Sequence, residues 1–134
     1  MRRLLLDTHV FIWWISGNES LGQVARGLIA DVDNQIYVSA ATVWEMSIKQ
    51  QLGKLSAPED LESVIERCGF SPLPIGLFHA QQAGSLPTYH RDPFDRMLIA
   101  QAQAEGLAIV TQDAAFPDYG VRLIHASVIG GQSY

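Results

Sequence analysis

The sequence predicts a three-layer α/β/α sandwich around a central, mostly parallel sheet of about five strands. Two observations lead there. Short apolar runs occur without the apolar–polar alternation of a half-exposed strand, as in a parallel sheet covered on both faces. Between them lie stretches with the 3–4 spacing of amphipathic helices, giving the alternation of an α/β layer fold.

The elements follow in order. "RLLL" before Asp7 reads as the first strand and "THVFIWWIS" as a short apolar helix. "SLGQVARGLIADV" places Leu21, Val24, Ala25, Leu28 and Ile29 on one helix face. "IYVS" from Ile36 is the second strand. "AATVWEMSIKQQL" follows as a helix with Ala41, Trp44, Ile48 and Leu52 on a common face. "PEDLESVIERCG" begins with Pro58 at a first helical position and stops at Gly69. "GFSPLPI" is an edge or irregular strand because its prolines cannot complete a ladder. "GLFHAQQAGSL" is a helix ending before Pro87. "PFDRMLIAQAQAEG" again runs from Pro to Gly. "LAIVT" and "VRLIH" are the last strands. Residues 1–126 read as a single domain and residues 127–134 as a frayed tail.

At 134 residues, 48% hydrophobic and 17% charged, the chain can fill one core. Its net charge of −5 is unusual for a general nucleic-acid binder. The single cysteine, Cys68, precludes an internal disulfide and reads as a buried thiol. Asp7 and His9 break the apolar run that would make the amino terminus a signal peptide. No stretch reaches the ~20 apolar residues of a membrane span. The expected location is the cytoplasm.

In an open parallel sheet, functional groups gather at the carboxyl ends of the strands. Asp7 follows the first strand and Asp113 follows "LAIVT". With Pro93 at the first helical position, Asp92 is the N-cap and Asp95 lies within the first turn. A helix leading into a parallel strand starts at that same rim. Glu45 sits near the start of the helix after the second strand. Each acid has a local explanation. Asp92 and Asp95 suit a capped helix start, Glu45 can pair with Lys49 four residues on, and Asp113 can turn the chain. Asp7 is the hardest to explain locally, and four acids on one rim are harder to explain than one.

Two like charges ~6 Å apart at an effective dielectric of ~20 repel by about 3 kcal/mol. Four together would cost on the order of a domain's whole stability. Protonation or a bound cation must relieve them. Oxygen ligands favour Mg²⁺ or Mn²⁺ over zinc. The histidines, His9, His79, His90 and His125, show no structural-zinc spacing; His90, beside the acids, is at most a substrate contact.

With these residues in place, "LLLDTH", "SAATVWEMSIKQQLGKL" and "LPTYHRDPFDRMLIAQAQAEGLAIVTQD" resemble the PIN-domain ribonucleases, most closely the VapC-type toxins of bacterial toxin–antitoxin systems. The likeness spans roughly Arg2 to His125. No single motif is specific, but the ordered set of acids is. It implies a Mg²⁺- or Mn²⁺-dependent endoribonuclease, held inactive by a cognate antitoxin protein and frequently homodimeric. The acids it implies are Asp7, Glu45, Asp95 and Asp113, with Glu45 ligating directly or through water and Asp92 acting beside the metal. Thr8 and Thr111 match polar positions flanking the acids. Gln112 stands where many relatives carry a basic residue. Arg96 either steadies the scissile phosphate or pairs with a carboxylate, and Arg2, Arg3 and Arg91 are further candidates to offset the acidity. Trp13 and Trp14 suit core or dimer packing, with base stacking or an antitoxin groove as alternatives.

The implied chemistry is metal-assisted hydrolysis of an RNA phosphodiester leaving 5′-phosphate and 3′-hydroxyl ends. Two alternatives compete. An aspartyl-phosphate hydrolase usually carries a second Asp where His9 stands, and a receiver-like domain needs a late lysine, whereas Lys49 and Lys54 are the only lysines. A catalytically silent binding module would have no need of four intact acids.

Overall fold

The computed structural model describes residues 1–89, 91–112 and 119–127. The strands are β1 (Arg3–Leu6), β2 (Gln35–Ser39), β3 (Ser71–Leu73), β4 (Ala108–Thr111) and β5 (Leu123–His125). The helices are α1 (Thr8–Ser16), α2 (Gln23–Ala30), α3 (Ala40–Gln51), α4 (Leu61–Arg67), α5 (Leu77–Ser85) and α6 (Pro93–Glu105). The sheet order is β3-β2-β1-β4-β5, and every pairing is parallel. The proline-bearing β3 lies at an edge, where Pro72 has no ladder to complete on its outer side.

The continuous apolar runs are explained by two cores. On β1, Leu4 and Leu6 pack with Val10, Phe11, Ile29, Met46 and Ile65 on one face of the sheet. Leu5 points into the second core, with Leu98, Ile99, Ile109 and Leu123. Neither face meets water, so polar alternation has no use. No described helix is long and apolar enough to cross a membrane.

Several expectations change in detail. In α3 the buried residues are Ala41, Thr42 and Met46, whereas Trp44, Ile48 and Leu52 are exposed. The helix packs against β2 with α1 and α6 to its sides. These neighbours select a face rotated from the most apolar stripe. Val24 of α2 is likewise exposed. Helix α4 starts not at Pro58 but after Asp60, whose carboxylate accepts the Ser63 N–H. Cys68 is a half-exposed free thiol at the end of α4, not a buried one. Trp13 and Trp14 are half-buried against the first core, with Trp14 5.9 Å from the Phe70 ring.

One side-chain tie sets α6 against the sheet. Gln101 is fully buried in α6. Its carbonyl accepts from the Ser39 hydroxyl at the end of β2, and its amide donates to the Pro74 carbonyl at 3.2 Å. Ser39 also caps α3 through the Ala41 N–H. Ser39, at the end of β2, thereby ties the start of α3 to the later turns of α6.

Candidate active site

From β1 the chain steps outward through β2 to β3, then returns to the other side of β1 for β4 and β5. The reversal leaves a crevice beyond the carboxyl ends of β1 and β4, where open α/β sheets bind ligands. A cleft of about 420 Å³ lies there, lined by Asp7, Thr8, His9, Glu45, Lys49, Asp92, Asp95 and Gln112. Four acids from three separate stretches of the chain thus share one pocket.

Local structure brings each to it. Asp7 directly follows β1 and caps α1, its Oδ1 accepting the Val10 N–H at 2.8 Å. Its Oδ2 accepts from the hydroxyl of Thr111, the last residue of β4. Asp7 is only 4% exposed, so both oxygens are fixed by neighbours rather than by bulk water. Asp92 caps α6 through the Phe94 and Asp95 N–H groups, and Pro93 occupies the first position of that helix. Asp95 therefore lies in the first turn. Glu45 is half-buried in α3, its Oε2 3.0 Å from Lys49 Nζ. The N-terminal ends of α1, α3 and α6 all lie at this rim, and their N–H groups and dipoles favour negative charge. That offsets part of the mutual repulsion of the acids.

Thr8 lines the cleft, and its hydroxyl pairs with Thr42 at 3.1 Å. Thr111 is fully buried and supports Asp7. Arg96 is absent from the described cleft wall. Its guanidinium donates to the carbonyls of Ala83, Leu86 and Pro87, clamping the end of α5. Arg3 and the backbone of Arg2 sit at the opposite end of β1. Arg3 donates to the Glu105 carbonyl and stacks on Tyr37, too far along the strand to offset the acids. Asp113 and His90 lie outside the described residues.

Sequence reasoning missed His9 and Lys49 as cleft residues, whereas Gln112, which stands where many relatives carry a basic residue, does line the cleft. The signal for Lys49 was present, since a residue four positions after Glu45 shares its helix face. His79 and His125 lie elsewhere. His79 Nδ1 accepts the Gly76 N–H and its Nε2 meets Glu105 at 2.9 Å, while His125 pairs with Ser127.

The acids offer oxygen donors suited to a hard divalent cation, with no thiol among the described cleft residues. Among the described residues, no three His, Cys, Asp or Glu side chains already converge on one ion position. The donor chemistry of the described acids fits Mg²⁺ or Mn²⁺.

Comparison with known proteins bears on the family and the fold. The chain is 43% identical over 58 residues to Ribonuclease VapC16 of Mycobacterium tuberculosis, a match covering 40% of this chain and 41% of that protein. It therefore spans less than half of that relative. Ribonuclease VapC22 of the same organism is 29% identical over 121 residues, covering 84% of this chain and 88% of the relative. The DNA-bound VapBC structure from Salmonella typhimurium superposes with a TM-score of 0.67 at 22% identity, covering 92% of this chain and 97% of that one. The PIN domain profile matches residues 4–121, from β1 almost to β5. The chain belongs to the PIN domain family.

Proposed function

We propose that this chain is a metal-dependent endoribonuclease, the toxin of a toxin–antitoxin pair. The observation that supports the reading most is the single cleft at the strand-order reversal holding Asp7, Glu45, Asp92 and Asp95. The resemblance to VapC-type toxins and the VapC names of two relatives supply the substrate class.

Asp7, Asp95 and Asp113 would hold one or two Mg²⁺ or Mn²⁺ ions, with Glu45 binding directly or through water. The chemistry that such an ion would supply when bound is a lowered pKa for a coordinated water, making it a nucleophile for the phosphodiester. The protein's part is positional. Thr111 and the Val10 N–H fix both oxygens of Asp7. The Phe94 and Asp95 N–H groups hold Asp92 at the head of α6, where it orients the turn carrying Asp95. Thr8 offers a hydroxyl at the cleft wall. No side-chain nucleophile is required, and the products carry 5′-phosphate and 3′-hydroxyl ends. The exposed stripe of Trp44, Ile48 and Leu52 on α3 gives an antitoxin or a second copy an apolar surface to cover.

Asp7→Asn and Asp95→Asn test the reading. Asparagine keeps the helix cap at Asp7 but removes an anionic ligand. Each variant should stay folded by circular dichroism and lose Mg²⁺-dependent RNA cleavage. Wild-type cleavage by either would refute it.

A further inference from the structure

Lys49 brings a positive charge into a cleft otherwise built of acids. Among the described cleft residues it alone carries a permanent positive charge, His9 being the other basic group. Three other described cations are committed elsewhere. Arg3 binds the Glu105 carbonyl at the far end of β1, Arg26 binds the Asn18 and Leu21 carbonyls, and Arg96 clamps α5. An RNA phosphate entering beside several carboxylates needs a cation to meet it.

The Lys49–Glu45 pair is unlike a solvated helix pair. The Glu45 side chain is only 12% exposed and that of Lys49 38%. The carboxylate sits inward and the ammonium reaches it from the open side on a flexible stem. We infer that Lys49 is a phosphate-binding residue stored on Glu45. It neutralises that carboxylate in the resting cleft and transfers to an RNA phosphate once a divalent cation occupies the acids. This rests on the ribonuclease reading.

The test uses full-length protein and a fluorescein-labelled single-stranded RNA of mixed sequence, with Ca²⁺ replacing Mg²⁺ to limit turnover. By anisotropy, Lys49→Met should weaken RNA binding roughly 10- to 100-fold, the scale of one lost charged hydrogen bond. The slope of log K against log salt should become shallower by about 0.7, one phosphate contact on a single strand. Lys49→Arg should restore most of both. Without RNA, Lys49→Met should bind Mn²⁺ more tightly, because its competitor for Glu45 is gone. A merely structural pair would move neither RNA affinity nor slope. Wild-type RNA affinity and slope in Lys49→Met, or unchanged Mn²⁺ affinity, would overturn the inference. The two readings separate cleanly. If Asp7→Asn is inactive while Lys49→Met binds RNA normally, only the role of Lys49 fails. If Asp7→Asn cleaves normally, the ribonuclease site fails and this inference with it.

Discussion

Thr111→Val isolates the support of Asp7 without touching a proposed metal ligand. Valine keeps the β-branched shape that β4 requires and removes only the hydroxyl. Thr111 is fully buried, so no bulk water stands ready to replace it. Its hydroxyl donates to Asp7 Oδ2, an acceptor that is itself 4% exposed. A hydrogen bond to a charged group contributes about 1.5–3 kcal/mol. The Val10 N–H still holds Oδ1 and limits the loss, so about 2 kcal/mol is expected. For a chain of this size that lowers Tm by roughly 6–10 °C. Urea denaturation at neutral pH should show the same loss with an unchanged m-value. Mn²⁺ affinity and RNA cleavage should fall together, because a ligand free to turn no longer presents its oxygens. If Thr111 instead touches RNA, Thr111→Val would weaken RNA binding at unchanged stability and Mn²⁺ affinity. A destabilisation below about 0.5 kcal/mol, the level of an unremarkable substitution, would refute the argument.

Two further outcomes follow from buried or clamping polar groups. Arg96→Ala should destabilise by about 2–3 kcal/mol, having removed charge-assisted bonds to three carbonyls at the end of α5, while RNA affinity by anisotropy stays at the wild-type value. Gln101→Leu should cost about 2 kcal/mol in urea denaturation, because the Ser39 hydroxyl and the Pro74 carbonyl each lose a partner.

The layered architecture was legible because burial on both faces of a parallel sheet leaves a local mark: "RLLL" and "AIVT" have no polar alternation to offer. Asp7, Glu45 and Asp95 could be brought to one rim because chain direction alone dictates which end of a strand or helix lies there. Other features depend on which neighbour arrives. The face α3 buries is chosen by α1, α6 and β2, so the most apolar stripe, Trp44–Ile48–Leu52, stays outside. Arg96 stands beside Asp95 in sequence, which suggested a phosphate contact or a carboxylate partner. The carbonyls it binds come from the α5 end packed alongside, and nothing local to Arg96 reports them. Thr111 matched a cleft position, but its bond to Asp7 joins residues 104 apart, through the β1–β4 pairing. Lys49 was visible as a partner of Glu45; its place on the cleft wall required the fold.

Anomalous diffraction from crystals soaked in Mn²⁺ asks directly whether these carboxylates exist to hold a cation. The account predicts manganese in the cleft beyond β1 and β4, ligated by Asp7 and Asp95, and its loss in Asp7→Asn crystals soaked identically. A cleft without manganese in wild-type crystals, or manganese retained there in Asp7→Asn, would contradict it.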